Sequence, residues 1–105
     1  MNILVRRTLT LHRSLAERLD AAALASWTPR ILANADRLET GVQGRPHVRN
    51  RVRWRRLAAA GAVAGIRAVL VSVEVDGIEM REVSPMGGIL PEAERLTALI
   101  AMGRP

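Results

Sequence analysis

Apolar positions alternate at the start of the chain. Ile3, Val5, Leu9 and Leu11 fall on odd positions with Thr8 and Thr10 between them, a period of two that predicts a strand interrupted at Arg7. The period then lengthens. Ser14-Leu-Ala-Glu17 has the form of a capping box, and Leu15, Leu19, Ala22 and Ala23 follow at helical spacing through Ser26. Thr28-Pro29 reads as the next boundary, because threonine can cap a helix and proline in a first turn forfeits no hydrogen bond. Ile31, Ala35 and Leu38 mark a second helix that Gly41 would stop, so the two helices form a tight hairpin or a bent pair. Residues 41–46, GVQGRP, carry loop chemistry.

Arginine takes over the pattern from Val48. Arg49, Arg51, Arg53 and Arg55 occupy alternate positions among Val48, Asn50, Val52 and Trp54, and Arg56 follows. As a strand, the odd arginines face one way and Val48, Val52 and Trp54 the other. As a helix capped by Asn50, Arg49, Arg53 and Arg56 share one face with Arg51 and Arg55 flanking it. The strand or an extended arm is preferred, since a helix scatters the cations over more than half its circumference. Leu57–Gly65 reads as a short helix of small residues. Val69, Val71, Val73 and Val75 then alternate up to Asp76-Gly77, a two-residue hairpin signal, and Ile78–Val83 returns. That register pairs Val75 with Ile78 and Val73 with Met80, with Glu74 opposite Glu79. Pro85-Met86-Gly87-Gly88 ends the sheet. Pro91 opens a terminal helix with Glu92 and Glu94 in its first turn and Gly103 past its end.

The pattern predicts a single α+β domain over residues 1–105. Its antiparallel sheet comprises the N-terminal strand, the arginine-rich strand and the C-terminal hairpin, packed by three or four helices.

Composition changes this picture in three ways. With 105 residues, 49% hydrophobic and only 2% aromatic, the core must be aliphatic around Trp27 and Trp54. The absence of cysteine excludes disulfides, thiolate nucleophiles and cysteine zinc sites. The charge of +6 is unevenly spread: residues 1–67 hold 13 Arg and 4 acids (+9), and residues 68–105 hold 3 Arg and 6 acids (−3). All 16 basic residues are arginine, and residues 46–67 carry six of them without an acid.

Leu57–Val73 is apolar enough to raise a membrane reading. Arg67 near its centre costs about 2.5–3.5 kcal/mol on insertion, and the Gly61-x-x-x-Gly65 spacing has meaning only in a true span, so no membrane is expected. Met1–His12 is too polar for a secretory signal, which predicts a cytoplasmic protein.

The arginine segment is the candidate site. In a strand, alternate guanidinium groups repeat at about 6.6–6.8 Å, close to the phosphate spacing of a nucleic-acid strand. Arg49, Arg51, Arg53, Arg55 and Arg56 would neutralise phosphates while Trp54 stacks on a base. The competing reading pairs these arginines with Glu74, Glu79 and Glu82 and buries Trp54. Glu74, Asp76, Glu79 and Glu82 read as a solvent face rather than a cation site. His12 and His47 lack partners at ligand spacing, and Ser14, two residues from His12, is better explained as a cap than as a nucleophile. No phosphate-binding loop, dinucleotide fingerprint, zinc signature or hydrolase elbow occurs, so no enzyme, cofactor or metal is expected. Too few aromatics are present for the RNA-binding folds that stack bases on a sheet. The Thr28–Gly41 helix is poorly suited as a DNA reader, because Asp36 and Glu39 offset Arg30 and Arg37.

The expected function is therefore a small basic binding protein for nucleic acid or a nucleoprotein. The first alternative is a structural subunit of a larger assembly, such as a virion or ribonucleoprotein particle, whose +9 and −3 parts pair between copies. A third is an inhibitor that masks an acidic protein surface.

Overall fold

Six helices make up the computed structural model, which describes residues 2–41 and 45–103: α1 (Ile3–Arg18), α2 (Ala21–Gly41), α3 (Arg45–Ala59), α4 (Val63–Val71), α5 (Val75–Glu82) and α6 (Glu92–Met102). Among the described residues there is no strand, so the expected α+β fold and its antiparallel sheet are overturned. Part of the predicted 41–46 loop, residues 42–44, lies outside the described residues.

Each error has a local cause. In α1 the inward positions are Leu9, His12, Leu15 and, just beyond the helix, Leu19, with Val5 and Thr8 half-buried above them. That is a 3.6-residue stripe, disguised because two of its members are Thr8 and His12. Ile3, which anchored the strand reading, is exposed. Asn2 caps the helix, its Oδ1 accepting the Val5 amide at 2.9 Å. Ser14 is a mid-helix residue whose hydroxyl donates to the Thr10 carbonyl at 3.3 Å.

The real break comes at Leu19-Asp20, where Asp20 Oδ1 accepts the Ala23 amide at 2.7 Å to start α2. This helix runs through Pro29 instead of beginning there. Pro29 and Ala25 one turn before it are both exposed, so the backbone bond that proline cannot make is lost on the wet face. Thr28 turns its hydroxyl back onto the Leu24 carbonyl at 2.7 Å.

The expected hairpin is the corner between α4 and α5. Ile66, Leu70 and Met80 are buried, whereas Val71, Val73 and Val75 are exposed. Asp76-Gly77 forms the first turn of α5, and Gly77 is there for proximity: a Cβ at that position would lie 2.3 Å from Ser72 Cβ. The predicted 57–65 helix is divided between the end of α3 and the start of α4 by Gly61, at φ +61°. The Ala62 amide reaches Leu57 O at 3.0 Å and the Gly61 amide reaches Ala58 O at 3.1 Å, which is a Schellman stop. At the far end, Pro91 and Gly103 cap α6 as the sequence predicts.

The helices pack with α2 on α3, α3 on α4 and α5, and α1 on α4, α5 and α6. Leu15, Leu19, Leu24, Ile31, Trp54, Ile66, Leu70 and Met80 form the centre of one continuous core. Two arginines tie helix ends together: Arg67 Nη2 donates to Leu19 O beyond α1 at 2.7 Å, and Arg81 Nη1 donates to Val69 O near the end of α4 at 2.8 Å. Among the described residues no helix is long and apolar enough to cross a membrane.

Candidate functional site

The arginine-rich segment is helical. Its inward stripe is His47, Asn50, Trp54, Leu57 and Ala58, which returns every three or four residues and holds α3 against α2, α4 and α5. The strand reading is overturned because its supposed apolar face is divided: Trp54 points in, whereas Val48 and Val52, one turn apart, point out. The alternative in which α3 is a helix is closer. Asn50, however, is fully buried in mid-helix and caps nothing.

Helical geometry sorts the five arginines into two groups. Arg53 and Arg55 are paired within the molecule. Arg53 grips Asp76 with both nitrogens, Nη1 to Oδ1 at 2.8 Å and Nη2 to Oδ2 at 2.7 Å, while Nη1 also reaches Asn50 Oδ1 at 3.0 Å. Hydrogen bonding from Arg53, followed by the Arg53 and Arg49 charges, holds the Asp76 carboxyl below its ordinary range. Arg55 pairs with Asp36 on α2. The partners are thus Asp76 and Asp36, whereas Glu74, Glu79 and Glu82 pair with none of these arginines.

Arg49, Arg51 and Arg56 have no acidic partner among the described residues. Arg49 and Arg56 are exposed and Arg51 is half-buried. Arg56 follows Arg49 by seven positions, so they stand on one outer face about 10.5 Å apart along the axis, with Val52 between them. Beside Arg56, a shallow groove of about 330 Å³ between α3 and α4 is lined by Arg53, Leu57, Gly65 and Val69.

Trp54 cannot serve as a stacking platform. It is 1% exposed, and its Nε1–H donates to the Met80 carbonyl at 2.7 Å, so it belongs to the core.

A second polar cluster joins residues that sequence proximity does not. His12 on α1 meets Ser84, 72 residues away, with Nε2 and Ser84 Oγ 2.6 Å apart. Its Nδ1 lies 2.7 Å from the Thr8 carbonyl, which can only accept, so Nδ1 carries the proton and Nε2 accepts from the serine hydroxyl. Burial, offset by the Thr8 bond and reinforced by the Arg81 charge, lowers the His12 pKa to about 4. Ser84 Oγ also accepts the Met86 amide at 3.2 Å. Asn34 of α2 fixes the following loop, its Nδ2 donating to Pro85 O at 2.8 Å and Gly87 O at 2.9 Å. Sequence reasoning weighed Ser14 beside His12 and set it aside as a helix cap. Nothing in the residue pattern points to Ser84, since the contact exists only once α1 and the segment after α5 are packed.

Among the described residues no group of three His, Asp or Glu side chains is placed to hold a metal ion. Compared with known proteins, the chain matches no family model, no curated protein and no solved structure.

Proposed function

We propose that the protein is a non-enzymatic polyanion-binding protein that lays the outer face of α3 against the phosphate backbone of nucleic acid. The observation that carries this reading is a helix free of acids, with Arg49, Arg51 and Arg56 left unpaired by the described residues while its other face is anchored in the core. An α-helix is about 10–12 Å across with its side chains, and the major groove of B-form DNA is about 12 Å wide. Affinity arises from release of phosphate counter-ions. The valines between the arginines offer bases no hydrogen bonds, so sequence selectivity is low. A cytoplasmic location accompanies the reading, on sequence grounds.

Substitution separates the unpaired arginines from the paired ones. Arg49→Gln, Arg51→Gln and Arg56→Gln together reduce affinity for a generic duplex by at least about tenfold in low salt, whereas Arg55→Gln, whose charge Asp36 already neutralises, has a smaller effect. Unchanged binding by the triple variant overturns the proposal.

A second reading, a structural subunit of a larger assembly, is favoured by Leu96 and Ile100. They lie one turn apart on α6 and are 46% and 58% exposed. Light scattering distinguishes it: a defined oligomer that Ile100→Glu dissolves supports a subunit, and a monomer at all concentrations removes that reading.

A further inference from the structure

We propose that the pocket enclosed by α1, α5 and residues 84–90 is a binding site for a small monocarboxylate with a short aliphatic tail. The pocket has a volume of about 260 Å³. Leu11, Leu15, Met86 and Leu90 form its apolar wall, and His12, Ser84 and Arg81 its polar end.

The chemistry follows from which polar groups are already satisfied. His12 and Ser84 satisfy each other, and the serine proton is committed to His12 Nε2. Arg95, also on the lining, is held by Glu92 through two hydrogen bonds of 2.8 and 2.7 Å. Arg81 is different. Only 4% exposed, it spends Nη1 on the Val69 carbonyl, and Nη2 is shielded from solvent with no hydrogen-bond partner among the described residues. No carboxylate pairs with it, and the charged group that acts on it is Arg13, which repels it.

A buried cation without a counter-ion is costly, and a ligand that brings one negative charge offsets that cost. No acid lines the pocket, and the Glu92 carboxylate beside it is neutralised by Arg95. One guanidinium that already spends a donor on the Val69 carbonyl matches a monoanion better than a phosphate dianion, which needs several donors. The aliphatic wall then selects for a hydrocarbon tail. This site lies away from the outer face of α3, and the inference is independent of polyanion binding.

The probes are hexanoate, its neutral isostere hexanol, and inorganic phosphate, each titrated into the full-length protein while backbone amide resonances are followed. Hexanoate is expected to shift the signals of His12 and residues 84–90 with a Kd on the order of 1 mM, and hexanol to bind at least about tenfold more weakly. Arg81→Gln should abolish the difference between the two. If that variant does not fold, the comparison on the unaltered protein still decides. Equal binding of hexanoate and hexanol shows an apolar cavity without charge selection and overturns the proposal. Phosphate binding in place of hexanoate, or no shift at about 50 mM hexanoate, overturns it as well.

Discussion

Acid should unfold this protein through His12 before it does so through any carboxylate. The imidazole is 8% exposed, and its pKa falls to about 4 from 6.5 because burial disfavours the charged form and the Arg81 guanidinium opposes it further. The folded-state value lies below the unfolded one, so between these two values the unfolded chain binds a proton that the folded chain does not. The His12 contribution to stability is therefore full above about pH 6.5, declines as pH falls, and stops declining below about pH 4, where both states are protonated. A difference of about 2.5 pH units caps the loss at about 3 kcal/mol, and the part lost between about pH 7 and pH 5 is about 2 kcal/mol. Urea midpoints measured along this range should fall accordingly. In His12→Gln, which is less stable at neutral pH, the decline over the same range should vanish. Asp76 and Glu92, whose carboxyls are held below their ordinary range by Arg53 and Arg95, titrate at lower pH and contribute equally to both proteins. A flat profile for the unaltered protein, or the same slope in the variant, refutes the reasoning.

Two further substitutions test the packing. Gly77→Ala should destabilise by about 1–2 kcal/mol in urea melts, because the new methyl group meets Ser72 Cβ at 2.3 Å and overpacking outweighs the roughly 1 kcal/mol gained in helix propensity. A gain in stability would show that the α4–α5 corner is not closely packed there. Trp54→Phe should cost about 2–4 kcal/mol, because it removes buried volume and the 2.7 Å hydrogen bond from Nε1 to the Met80 carbonyl. A loss under about 0.5 kcal/mol would contradict the core position of the indole.

What could be read in the sequence depended on how polar residues were used. The terminal helix was legible because Pro91, the two acids and Gly103 all mark a surface helix with ordinary caps. Four of the other five helices place polar groups inward: Thr8 and His12 in α1, Asn34 in α2, Asn50 in α3 and Arg81 in α5. These interrupt the 3.6-residue stripe while leaving an apparent alternation, so valines and leucines lying on different helix faces resemble a strand. The inward residues find their partners across the fold, as His12 does with Ser84 and Asn34 with Pro85 and Gly87. No local pattern records such contacts. Gly77 shows the same ambiguity. Asp-Gly is a strong turn signal, but here glycine answers a need for close approach between helices.

The candidate site was legible as a concentration of arginine and misread in its geometry. The helix removes the even spacing of guanidinium groups and takes Trp54 out of reach, while Asp36 and Asp76 withdraw two of the cations. Arg49, Arg51 and Arg56 remain, and they set a quantitative expectation.

Binding of the unaltered protein to a generic DNA duplex across a salt series measures it directly. Two phosphate contacts from Arg49 and Arg56 on the outer face predict a slope of log affinity against log salt of about −1.8, reduced toward zero in the triple glutamine variant. A slope near zero for the unaltered protein, or no binding at about 50 mM salt, contradicts the claim that α3 is a phosphate-binding face.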